Sequence, residues 1–171
     1  MAASRVSLSS VDLLCVGCGP GSYTGVRVAI ALAKGLAFGR TIPSLAFSSL
    51  TAYAPAEEGR FASVFDARAG GLYVQYGEVK EGEVSFDKEP KQLSLELFAS
   101  ELCDLQWLMT ADGESLRSRL KAELPHISLT LQEVRPSPLL VAKLAIRRLL
   151  EGGHSNELAP LYLRGAVRSP G

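Results

Sequence analysis

The feature that most restricts the fold is a glycine-rich turn between a short apolar run and a long apolar segment. Residues 13–16, Leu-Leu-Cys-Val, are typical of a buried strand. The turn that follows reads Gly-Cys-Gly-Pro-Gly-Ser-Tyr-Thr-Gly, and residues 26–38 are apolar except for Arg27 and Lys34. A helix that is apolar all round is buried on all sides. We therefore predict a strand, a tight turn and a helix over 22–39 that is covered both by its own sheet and by a further surface.

The turn is compatible with more than one function. Glycines between a strand and a helix allow backbone N–H groups and the helix dipole to face an anion. However, the third position of a dinucleotide fingerprint is occupied by Ser22 or Thr24, and no Walker lysine follows. Ser22 also lacks the flanking glycines of a nucleophile elbow. Spacing alone leaves a structural turn and a functional loop both open.

Arg27 is unusual because it is a cation in the first turn of the predicted helix, where the dipole disfavours positive charge. We expect it to have an anionic partner. Tyr23, Thr24 and Arg27 are either capping and first-turn residues or part of an interface.

Composition excludes several classes of protein. The 171 residues have a formal net charge of zero, which argues against unaided binding of nucleic acid. No signal peptide or membrane-spanning segment is visible, so we expect a cytoplasmic protein without a membrane partner.

The cysteines are expected to be structural. Cys15 and Cys18 have C-x-x-C spacing, but an odd spacing in a strand places them on opposite faces, which favours buried thiols over a redox pair. Cys103 is expected in a core, and His126 and His154 are isolated.

The order of elements predicts an α/β fold with two lobes. A strand over 12–17, the helix over 22–39 and a strand over 44–48 form a parallel unit. The polar residues 55–60 mark a boundary, which gives lobes 1–57 and 58–171. The second lobe begins with an antiparallel meander and continues with alternating helices and strands, which is a ribonuclease-H-like order. The predicted elements of this lobe are strands 61–65, 72–76, 84–86, 107–109 and 127–131, helices 94–103 and 112–124, and a long helix from Pro138. Its expected buried side holds Leu140, Val141, Leu144, Ala145 and Leu149.

Three motifs resemble those of the bacterial TsaB (YeaZ) family. The first is Gly-Pro-Gly-Ser-Tyr-Thr-Gly-Val-Arg at 19–27, continued by Ala-Lys-Gly-Leu-Ala at 33–37. The others are Asp-Ala-Arg-Ala-Gly-Gly-Leu-Tyr at 66–73 and Pro-Leu-Tyr-Leu-Arg at 160–164. The likeness covers essentially the whole chain. Family members usually begin with a strand containing Asp-Thr-Ser, two further strands and a helix. The resemblance therefore implies an actin-like ATPase architecture with a truncated first lobe and a complete second lobe.

The resemblance also implies a function. It points to a non-catalytic subunit of the machinery that forms threonylcarbamoyladenosine in tRNA. In that family the catalytic subunit TsaD holds metal and nucleotide, TsaE joins as an ATPase, tRNA is reached indirectly, and TsaB also self-associates. The chain alone is then expected to bind no cofactor or metal. The motif and interface positions implied in this sequence are Gly19, Pro20, Gly21, Ser22, Thr24, Gly25, Arg27, Ala31 and Lys34.

The main alternative is a free-standing nucleotide-dependent enzyme of the same architecture. A third hypothesis is a truncated paralogue that retains little function. Asp66 is the best single candidate for chemistry, as a vestigial phosphate-loop position. The first-lobe carboxylate that phosphoryl transfer also needs is absent with its strand. Asp66 is otherwise a turn residue bonded to its own backbone, with Arg68 as a potential ion-pair partner. A peptidase would need a His, Glu and Asp cluster that two distant histidines do not supply.

Overall fold

The strands form two separate sheets in the computed structural model, which describes residues 7–87, 89–102, 104–125, 130–152 and 158–163. In the smaller sheet, β1 (Leu14–Gly17) pairs in parallel with β2 (Ser44–Phe47). Helix α1 (Tyr23–Phe38) connects the two strands. The predicted strand, helix and strand are therefore confirmed. Cys103, His126, His154 and Arg164 lie outside the described residues, as do residues 127–129 of the predicted strand 127–131.

The larger sheet has the ribonuclease-H-like order that the sequence predicts. Its strands are β3 (Gly59–Asp66), β4 (Leu72–Lys80), β5 (Glu83–Phe86), β6 (Lys91–Leu93), β7 (Trp107–Thr110) and β8 (Thr130–Glu133). The main path runs β5-β4-β3-β7-β8, with β3, β4 and β5 antiparallel and β7 and β8 parallel to β3. Strand β6, which pairs with β4, was not predicted because three residues carry too little alternation to reveal it.

Three further helices cover the larger sheet and its junction with the smaller one. They are α2 (Leu95–Ser100), α3 (Gly113–Glu123) and α4 (Pro138–Leu150). Side-chain oxygens of Ser94, Asp112 and Ser137 accept backbone N–H groups in the first turns of these helices and so cap their N-terminal ends. No helix within the described ranges is long and apolar enough to cross a membrane.

The main core lies on one side of the larger sheet. It includes the fully buried side chains of Val64, Val74 and Phe98. The opposite side packs against the segment after β2, where a 3-10 turn (Ser49–Ala52) is followed by Tyr53. The Tyr53 and Phe65 rings meet edge to face at 5.1 Å between centroids. The segment that leaves the smaller sheet is thus anchored on the larger one.

A small third cluster holds α1 on the smaller sheet. Ile30 and Ala33 pack there against Cys18 and Leu158. The other side of α1 is open, with Val28 60% and Leu32 62% exposed. A two-stranded sheet is too narrow to cover more than one side of a helix, so the residues that the structure describes bury α1 on one face only. That a second surface covers the rest stays a prediction.

Helix α4 lies against the opposite face of the smaller sheet. Cys15, Gly17 and Phe47 line a cavity of about 350 Å³ together with residues at the start of α4, including Pro138 and Val141. Alternate residues of β1 therefore point to different faces, as the spacing predicts. Cys18 is buried as expected, but the expectation of a buried thiol was wrong for Cys15, which is exposed on the face that lines this cavity. Ala145 is the one fully buried side chain on α4. Leu149 lies one turn beyond Ala145, at the end of α4, and is 37% exposed, so placing it on the buried side was wrong.

Candidate functional site

The three sequence motifs meet around one cavity of about 220 Å³. The first motif contributes residues 19–21, the hairpin motif contributes Tyr73, and the C-terminal motif contributes residues 160–163. The C-terminal residues are far from the first motif in sequence, so the tail must cross back to the smaller sheet. We take this convergence as the candidate functional site.

The turn is built around two glycines and a serine cap. The Ser22 Oγ accepts the Gly25 N–H at 3.3 Å and so caps α1. Gly19 has φ +111°, a region that favours glycine, and its N–H donates to the Ser49 Oγ at 3.1 Å. A Cβ on Gly19 would lie 3.2 Å from the Leu161 carbonyl oxygen. Glycine is needed here because the C-terminal segment passes directly over the turn.

The C-terminal segment 158–163 acts as a strap across the turn. The Leu161 N–H donates to the Cys18 carbonyl at 2.7 Å, and Leu158 is buried in the cluster beneath α1. The Cys18 thiol donates to the Phe47 carbonyl at 3.0 Å, and burial raises its pKa. The thiol is therefore a neutral packing group under the strap and not an available nucleophile.

Arg27 joins the helix to the strap. Its guanidinium carbon lies 3.8 Å from the centre of the Tyr23 ring, and its Nε and Nη2 donate to the Tyr162 Oη at 3.2 and 2.8 Å. This hydrogen bond raises the pKa of Arg27. The expected anionic partner is not found among the described residues: the partners are a neutral phenol and a ring face. Tyr23 and Tyr162 are 62% and 61% exposed, so a fixed cation stands between two accessible aromatic rings.

The remaining predicted interface positions lie along α1. Thr24, Gly25, Ala31 and Lys34 are exposed on the helix, whereas Gly19 and Pro20 are buried in the turn beneath it. Ala31 stands between the exposed Val28, Leu32 and Gly35 on one side and the cations Arg27 and Lys34 on the other. The predicted residues thus divide into a buried support and an exposed face.

Asp66 does not line the cavity shared by the three motifs. Its Oδ1 accepts the Arg68 N–H at 2.6 Å, and it forms an ion pair with Arg119 of α3. Arg119 also donates to the Gly71 carbonyl at 3.2 Å. Arg68 was therefore the wrong ion-pair partner, because it contributes its backbone N–H while α3 supplies the cation. This carboxylate is engaged in holding its own turn.

Sequence reasoning missed Arg119 and the pairing of Arg27 with Tyr162. The partners are separated by 53 and 135 positions, so no local spacing reveals them. The one available signal was the presence of Tyr162 in a recognised motif. Among the described residues, no three His, Cys, Asp or Glu side chains are grouped so that they could hold a metal ion.

Comparison with a family model gives the broad class of protein to which the chain is similar. Residues 1–97 match the family model described as "TsaD: tRNA N6-adenosine threonylcarbamoyltransferase". The larger sheet, the smaller parallel sheet and the glycine turn are consistent with the actin-like ATPase fold of that class.

Whole-chain relatives then identify the family. The chain is 35% identical to "tRNA threonylcarbamoyladenosine biosynthesis protein TsaB" of Haemophilus influenzae, an alignment that covers 98% of this chain and 76% of the relative. It is 27% identical to the protein of the same name from Escherichia coli, over 98% of this chain and 77% of that protein. The chain belongs to the TsaB family.

Solved structures agree with this assignment. The fold is similar to that of a Pseudomonas aeruginosa protein described as having similarity to peptidase YEAZ, with a TM-score of 0.73 and 28% identity over 93% of this chain and 76% of that one. It is similar to YeaZ from the same organism, with a TM-score of 0.72 and 28% identity over 92% of this chain and 76% of that one. The chain spans about three quarters of the length of these relatives.

Proposed function

We propose that this protein is a non-catalytic partner subunit in the formation of threonylcarbamoyladenosine in tRNA. It docks a TsaD-like catalytic subunit through the exposed face of α1. The names of its relatives support the pathway. The single observation that carries the docking role is the open apolar side of α1, where Val28 and Leu32 are 60% and 62% exposed.

The shape of this face suits a second helix. Large and small residues are interleaved along it, and a Cβ added at Gly35 would meet no described atom within 4 Å outside the backbone of α1 itself. Small residues let two helix axes approach within about 8–10 Å. Burying the exposed parts of Val28 and Leu32, which are 60% and 62% of each residue, would contribute about 1–2 kcal/mol each. Isolated exposed aliphatics are ordinary, but a continuous row of them on one helix is typical of an interface.

The N-terminal end of the same face offers a polar anchor. Tyrosine and arginine are the residue types that most often dominate binding energy at protein interfaces. Here Tyr23, Arg27 and Tyr162 already hold one another, so little side-chain entropy remains to be lost on binding. Arg27 and Lys34 lie seven positions apart, and no acidic residue occurs between 13 and 56. The partner surface is therefore expected to be acidic.

We further infer that ATP and metal are held by the partner subunits. Asp66 supports this inference because its carboxylate is engaged by Arg68 and Arg119. In this scheme a TsaE-like ATPase and the tRNA meet the complex through the catalytic subunit, in the cytoplasm. A homodimer would use the same α1 face and compete with the catalytic subunit for it.

Calorimetric titration of the TsaD-like subunit from the same organism tests the docking face. Ala31→Glu and Lys34→Glu are expected to weaken binding at least about 30-fold, the effect of losing roughly 2 kcal/mol at an interface centre. Ala122→Glu on α3 is the matched control, because Ala122 is also an exposed helical alanine. Wild-type affinity in both α1 variants would contradict the proposal.

A second titration separates the scaffold from the alternative enzyme. ATP with magnesium, added to the chain alone, is expected to give little heat, and the same addition to the chain with the catalytic subunit is expected to give a binding isotherm. Saturable binding of ATP and magnesium by the chain alone would favour the nucleotide-dependent enzyme.

A further inference from the structure

Helix α4 carries a second exposed apolar stripe, separate from α1. Its members Leu139, Ile146 and Leu150 are 68%, 55% and 83% exposed, and the exposed Lys143 lies between the first two. These four positions are spaced four, three and four residues apart. That spacing is the a and d seam of a two-helix coiled coil. The stripe faces away from the contacts that α4 makes through Ala145.

The charge on this helix has one sign. Between positions 134 and 150 the sequence contains Arg135, Lys143, Arg147 and Arg148 and no acidic residue. Arg147 is neutralised by an ion pair with Glu83 of β5. No ion pair is formed by Lys143 among the residues that the structure describes. A single cation within an otherwise apolar seam selects the partner that places an acid opposite it.

We propose that the α4 stripe docks an amphipathic helix of another protein that carries an Asp or Glu opposite Lys143. A second copy of this chain fits less well. A parallel pair would set Lys143 against Lys143, and an antiparallel pair would leave both lysines among aliphatic side chains without an acid. A lipid surface also fits less well, because membrane-binding helices carry their cations on the polar face and not in the middle of the apolar one.

This docking surface is independent of the role proposed for α1. The two helices pack on opposite faces of the smaller sheet: α1 covers the side of Cys18, and α4 covers the side of Cys15. A partner on one helix therefore leaves the other free. Loss of either interaction can be measured without loss of the other.

A pair of designed peptides tests the stripe on the full chain. Both are 21-residue amphipathic helices with leucine and isoleucine at a and d, and they differ only in carrying Glu or Lys at the position facing Lys143. By fluorescence anisotropy, the Glu peptide is expected to bind on the order of tenfold more tightly, a difference of about 1.4 kcal/mol. Lys143→Glu is expected to reverse this preference, and Ile146→Glu to abolish binding of both peptides. Leu32→Glu on α1 should change neither affinity.

Several results would overturn the proposal. They are equal affinity of the two peptides, no reversal in Lys143→Glu, or unchanged binding in Ile146→Glu. Self-association of the wild-type chain that disappears in Ile146→Glu would assign the stripe to a second copy. Ile146-dependent binding to vesicles of anionic phospholipid would assign it to a membrane.

A photo-crosslinking amino acid placed at position 146 can then be used to identify the protein that binds the α4 stripe in cells. The crosslinked partner segment, sequenced by mass spectrometry, is expected to show an apolar heptad with an acidic residue inside it. The adduct should be lost in Lys143→Glu. A crosslink to this chain itself, or a partner segment without that acidic repeat, would contradict the proposal.

Discussion

Asp66 shows how one carboxylate stabilises a turn at the scale of the single residue. The turn contains two positions with left-handed backbone, Arg68 with φ 55° and Gly71 with φ 88°. Asp66 accepts the Arg68 N–H, and Arg119 bridges from Asp66 to the Gly71 carbonyl. The carboxylate therefore offsets the unfavourable backbone of Arg68 and connects the hairpin to α3.

Replacing Asp66 with asparagine is expected to lower the free energy of unfolding by about 1–2 kcal/mol, because charge-assisted hydrogen bonds to the turn and to Arg119 are weakened. Arg119→Gln should have a similar effect, and the double variant should lose less than the sum because the two residues share one interaction. Urea denaturation measures all three changes. Asp12→Asn, at another exposed aspartate, serves as the control. A stable Asp66→Asn protein that no longer supports threonylcarbamoyladenosine formation would instead make Asp66 a chemical group.

At the scale of the element, the sequence predicted α1 well but could not define its surroundings. The apolar run behind the glycine-rich turn predicted a helix over 22–39, close to the observed Tyr23–Phe38. Apolar composition shows that a surface avoids water, but it does not show whether the cover comes from this chain or from another. The same limit applies to Asp66, since Arg119 reaches it from an element whose position in space no local pattern contains. The spacing of residue types predicts helices, strands and turns, whereas contacts between distant elements depend on the assembled fold.

Gly35 allows the stability of α1 to be separated from its contacts. Among the residues that the structure describes, a Cβ at this position meets nothing within 4 Å beyond the backbone of its own helix, and the backbone is not left-handed. Gly35→Ala is therefore expected to stabilise the chain by about 0.5–1 kcal/mol, since alanine has the higher helix propensity. The melting temperature should rise by about 2–4 °C per kcal/mol for a chain of this size. Calorimetric scanning of the chain alone measures it.

Gly71→Ala is the opposing control for this experiment. Its Cβ would lie 2.0 Å from the Leu93 carbonyl oxygen, and Gly71 has φ +88°, so the melting temperature should fall. A decrease in Gly35→Ala as well would show that something within the chain already occupies the open side of α1.

At the scale of the whole molecule, two crossing segments tie the sheets together. Tyr53, just after the smaller sheet, packs with Phe61 and Met109 of the larger one. The strap 158–163, which follows the larger sheet in sequence, packs back on α1 through Leu158 and Leu161. The predicted lobe boundary between residues 57 and 58 stays a prediction, because packing crosses it in both directions.

The smaller sheet is expected to open at a lower free energy than the larger one. It has two strands and a helix covered on one side, and, within the described part of the chain, the cluster beneath α1 has four buried side chains, those of Cys18, Ile30, Ala33 and Leu158. Native-state hydrogen exchange by mass spectrometry should therefore show faster exchange in β1, α1 and β2 than in β3 and β7. Leu158→Ala is expected to lower protection of the smaller sheet by about 2–4 kcal/mol and leave the larger sheet nearly unchanged, because the lost methyl groups lie beneath α1. Val64→Ala, in the main core, should lower the protection of the larger sheet as well. If both sheets exchange with one common free energy, and Leu158→Ala shifts them together, the chain unfolds as a single cooperative unit and the two-lobe division is wrong.

Adding the TsaD-like subunit should slow hydrogen exchange first in α1, since that helix has the face that is still to be covered.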